Sequence, residues 1–360
     1  MNSDRRIFQL VAGYSNGDAI SNEARAMRDI FRGWGAMSEI VCEAQLILPE
    51  LLDDAWTLER YRANARADDV LLLHLSIGSE INQVFKALPG RKALLYHNIT
   101  PPEFFEGIKE KTARRLAEGR RQVAELAGVA EVNLADSGFN ARELEDFGYE
   151  DVHVFPLVLK LESLSDQLDP VVLEEYGDES PTVLFVGRGA PNKRIEDLLY
   201  AFHYYQRFHA PDARFVHVGS YTGLEFYQWH IAMLARRLGL ENVLLAESVR
   251  QDELNAYYKT ADVFLSMSEH EGFCIPLIES MVHDLPVLAY AQAAVPETLD
   301  GAGVLFSEKR YDMVAAMIDR LIADQGLRER VIEGQRQRLQ RYRERDLGAE
   351  LRRHFEGLIQ

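Results

Sequence analysis

The chain has 360 residues, 47% hydrophobic and 27% charged, a globular composition with room for two domains of ordinary size. Its 57 acidic against 40 basic side chains leave a formal charge of −17, which excludes a surface that grips nucleic acid or anionic lipid as a whole. Two cysteines, Cys42 and Cys274, exclude a disulfide framework and a four-cysteine zinc site.

The start, MNSDRRIFQLVAGYSNG, holds a short apolar run broken by Gln9 and reads as a first strand rather than a signal peptide. After this run at 6–12, nearly continuous apolar runs follow at 38–44, 69–75, 91–97, 131–136 and 152–158. Six more lie at 182–187, 214–219, 242–247, 263–268, 286–291 and 303–306, and longer amphipathic stretches separate them all. Strands buried on both faces and joined by helices make parallel sheets, so each half predicts an α/β, Rossmann-like, doubly wound sheet of about six strands. The acidic segment 159–181 ends in turn residues and reads as a linker. The expected domains are 1–165 and 175–340, with a C-terminal helix over 340–360 joining the first; the whole of 327–360 reads as helical. No run approaches the roughly 18 apolar residues of a membrane span, so the expected location is the cytoplasm, with peripheral contact at the inner membrane face left open.

Open α/β sheets bind ligands at the C-terminal ends of their strands, so the loops after strands are where chemistry is sought. After the first strand, VAGYSNGDAIS places Gly13, Gly17 and Asp18 before a helix, either as a ligand-facing loop or as a plain tight turn. His74, in LLLHLSIGS, reads as a packing residue, and His97 ends a strand before the proline-stiffened NITPP. Ser137 and Asn140, in ADSGFNARELEDFG, read as helix-start residues. Lys109, Lys111, Arg114, Arg115, Arg120 and Arg121 crowd one helix; a solvated face is preferred to a patch for an anionic acceptor or membrane.

The second half carries the sharper pattern. Arg188 and Lys193 follow the strand TVLFVG and precede an amphipathic helix, a suitable cradle for a diphosphate. The loop lacks G-x-x-x-x-G-K-[ST] and is no Walker loop. In SEHEGFCIPLIESMVHDLPVLAY, Glu271 and Glu279 straddle Gly272, Phe273 and Pro276, with Pro276 suited to a first helical turn. Backbone N–H groups around Gly272–Cys274 would point at a phosphate, with Glu279 reaching a ribose-like hydroxyl pair and Glu271 a sugar.

This constellation resembles the Glu-x7-Glu signature of retaining glycosyltransferases of family 4, whose GT-B fold is two facing Rossmann-like domains with an interdomain cleft. The resemblance runs over about 182–306 and includes Tyr258, Ala261 and Asp262 upstream, and Pro286, Val287, Pro296 and Glu297 downstream. It implies that Arg188 and Lys193 neutralise the donor diphosphate, with the backbone at Gly272, Phe273 and Cys274 completing that site. It implies further that Glu279 holds the ribose, Val249 lines the nucleobase, and Glu271 and His97 are the catalytic pair near the donor sugar. Gly13, Gly17 and Asp18 would form the loop facing donor and acceptor, and Ser137 would touch the acceptor.

The activity so implied is retaining transfer of a sugar from a nucleoside diphosphate sugar to an acceptor hydroxyl on a carbohydrate or glycolipid, in cell-surface glycan or polysaccharide synthesis. GDP-mannose is the first expectation for the donor, and UDP-linked glucose or N-acetylglucosamine the next. No cofactor and no metal are implied, because no Asp-x-Asp motif stands on a suitable loop. Nucleic acid is not an expected partner, and the oligomeric state is left open. The rivals are a pseudoenzyme that binds nucleotide sugar without turnover and a GT-B-like epimerase; a glycoside hydrolase is disfavoured.

Overall fold

The computed structural model describes residues 5–164 and 167–359. The expected domain end at 165 lies outside the described residues, as do 1–4 and 360 at the ends of the expected spans. Two compact units form. The first takes the chain to Glu106, Glu110–Leu159 and the stretch from Asp346; the second takes Gly107–Lys109 and Lys160–Arg345.

The first unit holds strands β1 (Arg6–Leu10), β2 (Met37–Cys42), β3 (Trp56–Thr57), β4 (Val70–Leu75), β5 (Arg91–Tyr96), β6 (Val132–Ala135) and β7 (Val152–Val154). They pair in parallel in the order β3-β2-β1-β4-β5-β6-β7. The sequence predicts six strands here. The seventh, β3, is only two residues beside Val41–Cys42 at the sheet edge, too short to leave an apolar run.

The second unit holds β8 (Thr182–Val186), β9 (Arg214–Val218), β10 (Val243–Ala246), β11 (Val263–Ser266), β12 (Val287–Tyr290) and β13 (Val304–Phe306). Their order is β10-β9-β8-β11-β12-β13, again parallel throughout. Strand order reverses between β1 and β4 and again between β8 and β11. Loops leaving those strands diverge there and open a crevice for a ligand.

Packing explains the apolar runs. β4 is buried at all six positions, as a central strand covered on both faces must be. On one face, Ile7, Leu72 and Leu95 meet Met27 and Phe31 of the helix Ala19–Gly33. The C-terminal segment, expected as one helical stretch, is two helices. Gln325–Arg343 stays with the second unit, and Leu347–Ile359 packs Leu351, Phe355 and Leu358 into the first unit's core. Asp346 breaks the helix by accepting the Ala349 N–H at 2.9 Å.

The helix Glu225–Arg237 buries Tyr227, Ile231 and Ala235 and turns Phe226 and Trp229 outward, their rings stacked at 5.8 Å. No helix among the described residues is long and apolar enough to cross a membrane.

Candidate functional site

In the second unit the loops after β8 and β11 flank the reversal point. The β8 loop is laddered to the β9 loop, Gly187 N–H donating to Val218 O and Gly189 N–H to Ser220 O, both at 3.0 Å. A side chain at Gly219 would place its Cβ 1.9 Å from the Gly187 carbonyl, so only glycine lets the two loops close up. Arg188 is thereby turned outward. It is exposed, and its Nη2 donates to the Thr222 carbonyl at 3.1 Å.

Lys193 reaches the opposite loop, where its Nζ meets Glu271 Oε2 at 2.6 Å. Asn192 adds two ties, donating to His270 O at 3.0 Å and accepting from Glu269 N–H at 2.9 Å. Burial pulls the Lys193 ammonium down, but Glu271 beside it outweighs this and holds it above its ordinary pKa, a stable cation.

Two helices start at these loops, and both are entered through a non-glycine residue in the left-handed region. Arg194 (φ 53°) precedes Ile195–Phe208, and Cys274 (φ 74°) precedes Ile275–Val282, where Pro276 sits in the first turn. Neither helix has a side-chain cap on its first N–H groups. Such strain, coupled with open helix N-termini beside a cation, makes an anion site chemically reasonable. Phe273 is buried, its carbonyl accepting from the Thr298 hydroxyl, while Ala294 N–H donates to Glu271 O at 3.3 Å. Gly272 lies between them in the same loop. The Cys274 thiol is pushed well up by burial and by Glu271, so it stays neutral and unreactive.

Glu279 does not join the Lys193–Glu271 pair. It stands on the helix Ile275–Val282 and accepts from the Tyr258 hydroxyl at 2.7 Å; burial pushes its carboxyl up against the opposing effect of that bond. Val249 is half-buried after β10, two strands from the reversal point, beside Arg250, which pairs with Asp169 at 2.7 Å.

Sequence reading missed the brace behind the pair. Lys309 Nζ sits 2.7 Å from both Asp197 Oδ2 and Glu269 Oε1, Arg194 bridges the same two carboxylates at 3.1 and 3.4 Å, and the Tyr311 hydroxyl donates to Asp197 at 2.7 Å. Bonded partners here are up to 114 positions apart and share no motif; only the sheet order brings them together.

In the first unit, Gly17 takes φ 70° in a turn, and Asp18 caps the helix Ala19–Gly33, accepting from Ser21 N–H at 2.8 Å and Ser21 Oγ at 2.7 Å. Gly13 lies in the same loop, before Tyr14, whose N–H donates to Leu46 O. Ser137 caps the helix Gly138–Asp146 through Asn140 N–H at 3.2 Å. The four arginines of the basic cluster are engaged locally. Arg115 donates to Gly78 O, Arg120 pairs with Glu143, Arg121 pairs with Glu118 and Glu125, and Arg114 donates to Glu110 O.

His97 is turned inward, its side chain only 3% exposed. Its Nε2 lies 2.9 Å from His74 Nδ1, and its Nδ1 lies 3.4 Å from Glu23 Oε2 and 3.6 Å from Asp136 Oδ2. His74, read from sequence as mere packing, is therefore a hydrogen-bonded partner of His97. Glu23, His74 and His97 offer metal-ligand atoms within 4.8 Å of one another. Their present geometry suits a proton better, because the His74 Nδ1 lone pair that a metal would need already faces His97 Nε2.

Residues 174–338 match the family described as Glycosyl transferases group 1, and form a domain of that kind. An uncharacterized glycosyltransferase of Methanocaldococcus jannaschii is 30% identical over 158 residues, 43% of this chain and 39% of that protein. The O-antigen chain mannosyltransferase B of Escherichia coli is 27% identical over 150 residues, 41% of this chain and 38% of its own length. Mannosylfructose-phosphate synthase of Agrobacterium fabrum is 28% identical over 165 residues, 44% and 35% of the two chains. Each match thus spans about two fifths or less of the relative's length. Among solved structures, sucrose-phosphate synthase from Thermosynechococcus elongatus superposes with TM-score 0.75 at 15% identity over 98% of this chain and 99% of its own. Anabaena HepE in complex with UDP and glucose gives 0.77 at 15% identity over 98% and 100%. The fold is that of GT-B glycosyltransferases.

Proposed function

We propose that the protein is a retaining glycosyltransferase that moves a sugar from a nucleoside diphosphate sugar to an acceptor hydroxyl. The observation that carries this reading is the Lys193–Glu271 pair, set between two uncapped helix starts at the reversal point of a group 1 domain. As the glycosidic bond to the diphosphate breaks, negative charge grows on the leaving oxygen. Lys193, the helix N–H groups around Gly272, Phe273 and Cys274, and Arg188 swung from Thr222 would stabilise it without a metal or other cofactor. The acceptor oxygen bonds to the anomeric carbon on the face that the diphosphate leaves, and its proton passes to the departing phosphate. Glu271 orients the donor sugar, Glu279 takes the ribose with Tyr258 steadying it, and Val249 lies towards the base.

The first unit, with Gly13, Gly17, Asp18 and Ser137, then serves a carbohydrate or glycolipid acceptor, with His97 towards the donor sugar. The mannosyltransferase among the relatives favours GDP-mannose as donor; the UDP complex among the structural neighbours makes UDP-glucose the next choice. A cytoplasmic setting, with peripheral contact at the inner membrane face, fits a glycolipid acceptor. Incubation with GDP-mannose, UDP-glucose and UDP-N-acetylglucosamine, followed by assay of nucleoside diphosphate release and of sugar transfer, tests the reading. Transfer from one donor that Lys193→Ala abolishes is the expected result. Tight donor binding with neither transfer nor hydrolysis would leave a binding protein in its place.

A further inference from the structure

His97 belongs to a buried polar row that the strand register builds. Gln9 pairs with Leu72, His74 with Leu95, and Tyr96 with Ala135. Because side chains alternate faces, Gln9, His74 and His97 share the face beneath the helix Ala19–Gly33, each one step further across the sheet. Asp136 follows β6 at the same level, and Glu23 descends from the helix. Gln9, Glu23 and His74 are at most 1% exposed and Asp136 is 3% exposed, so every member of the row is withdrawn from water.

The direction of the hydrogen bonds can be read along this row. The Gln9 amide donates to Ala24 O at 2.8 Å, which turns Oε1 towards His74 Nε2 at 3.0 Å. His74 must therefore carry its proton on Nε2. Burial, then the neighbouring His97, hold its pKa well below the ordinary value, so the ring is neutral and Nδ1 is a bare acceptor. His97 accordingly presents Nε2–H. The two rings are coplanar within 2°, with centroids 5.2 Å apart, the spacing of an in-line N–H···N bond with one ring radius at each end.

On the other side, a neutral His97 would set a bare Nδ1 lone pair against two carboxylates. Neither contact is a formed hydrogen bond at 3.4 and 3.6 Å, and Glu23 Oε2 and His97 Nδ1 are both buried without a hydrogen-bond partner. One proton at Nδ1 turns that repulsion into two ion pairs.

We propose that Glu23 and His74 are positioning residues that hold His97 between them as a buried imidazolium at the C-terminal end of β5, its ring fixed from both sides. The groups facing it are Glu23, Asp136 and Asp18, which favour the charge, and neutral His74, which accepts from it. Burial works against the cation, and the carboxylates outweigh burial. Its use in sugar transfer rests on the function proposed above; its charge state does not.

Nitrogen-15 spectra of the ten histidines, with His97 assigned by a His97→Asn variant, test this directly. At pH 7.5 the His97 ring is expected to carry protons on both nitrogens, and the His74 ring on Nε2 alone. Glu23→Gln should lower the His97 titration by more than one pH unit, with Glu23→Asp restoring part of it. A role limited to packing would change thermal stability and leave that titration where it was. A neutral His97 at pH 7.5 in the native chain overturns the proposal, whether or not the variants fold. So does a titration unmoved by Glu23→Gln. In transfer assays the alkaline limb of the rate should follow the His97 titration and shift with it in Glu23→Gln. Complete absence of transfer alongside the expected spectra would sink the glycosyltransferase reading and leave the imidazolium standing.

Discussion

Lys193 and Glu271 stand on the two loops that flank the strand-order reversal of the second sheet, and their side chains meet at 2.6 Å. Their side chains are 19% and 8% exposed, so the pair is partly withdrawn from water and each charge depends on the other. Removing one partner strands the other.

Lys193→Met should therefore destabilise the second unit by about 3 kcal/mol, as breaking buried pairs does. The double variant Lys193→Met/Glu271→Gln should recover most of that loss while transfer stays at least ~100-fold down, because a charge-stabilising group is gone. Urea unfolding of the four species in a double-mutant cycle measures the coupling. Equal stability of the single and double variants would contradict it.

Cys274 has φ 74°, a conformation that a side chain resists and glycine accepts. Stability should therefore rank Cys274→Gly above Cys274→Ala by about 1 kcal/mol, the reverse of the usual helix order. Thermal melts of the two variants compare them directly, and an alanine variant the more stable would rule the strain out.

Gly219→Ala places a Cβ where the Gly187 carbonyl now lies, and the clash is with backbone rather than a movable side chain. A loss of about 2 kcal/mol is expected, together with weaker donor binding because the loop carrying Arg188 is displaced. Calorimetry with and without nucleoside diphosphate reads both effects.

The stability contributed by Glu23 and His97 should fall as pH rises. Burial pushes the Glu23 carboxyl up to about 7, with His97 opposing and Asp136 reinforcing the shift. Folded protein thus binds this proton more tightly than unfolded chain, and stability declines between the ordinary carboxylate pKa and about 7. The raised His97 adds a contribution that is complete below its ordinary value of about 6.5 and lost as pH climbs through the folded one. Both slopes have the same sign. The stability of the native chain over Glu23→Gln/His97→Asn, read from unfolding free energies between pH 5 and 9, should shrink as pH rises.

The central strands were legible in the sequence because burial on both faces writes continuous apolar runs such as VLLLHL. β3 was not, since two residues at an edge write nothing. Glu271 and Lys193 were visible as loop residues after strands, but not that they pair. His74 was hidden for a physical reason: a histidine among leucines looks like filler until the register sets it beside His97. Asp197, Lys309 and Tyr311 left no local trace, because the brace exists only where loops after β8, β11 and β13 converge. The basic run of 106–122, read as a solvated face, is one: Lys111, Arg114, Arg115 and Arg121 are exposed. Its arginines are mostly consumed by neighbouring carboxylates and carbonyls, which composition along the chain cannot reveal.

The outward-facing ring of Trp229 has a practical consequence. The chain has three tryptophans, and two of them, Trp34 and Trp56, are in the first unit. The second unit thus carries a single indole, 57% exposed, on the helix that begins just after the Thr222 carbonyl held by Arg188. In a Trp34→Phe/Trp56→Phe background, emission would come from that one place, giving a built-in optical gauge for whatever occupies the neighbouring loops.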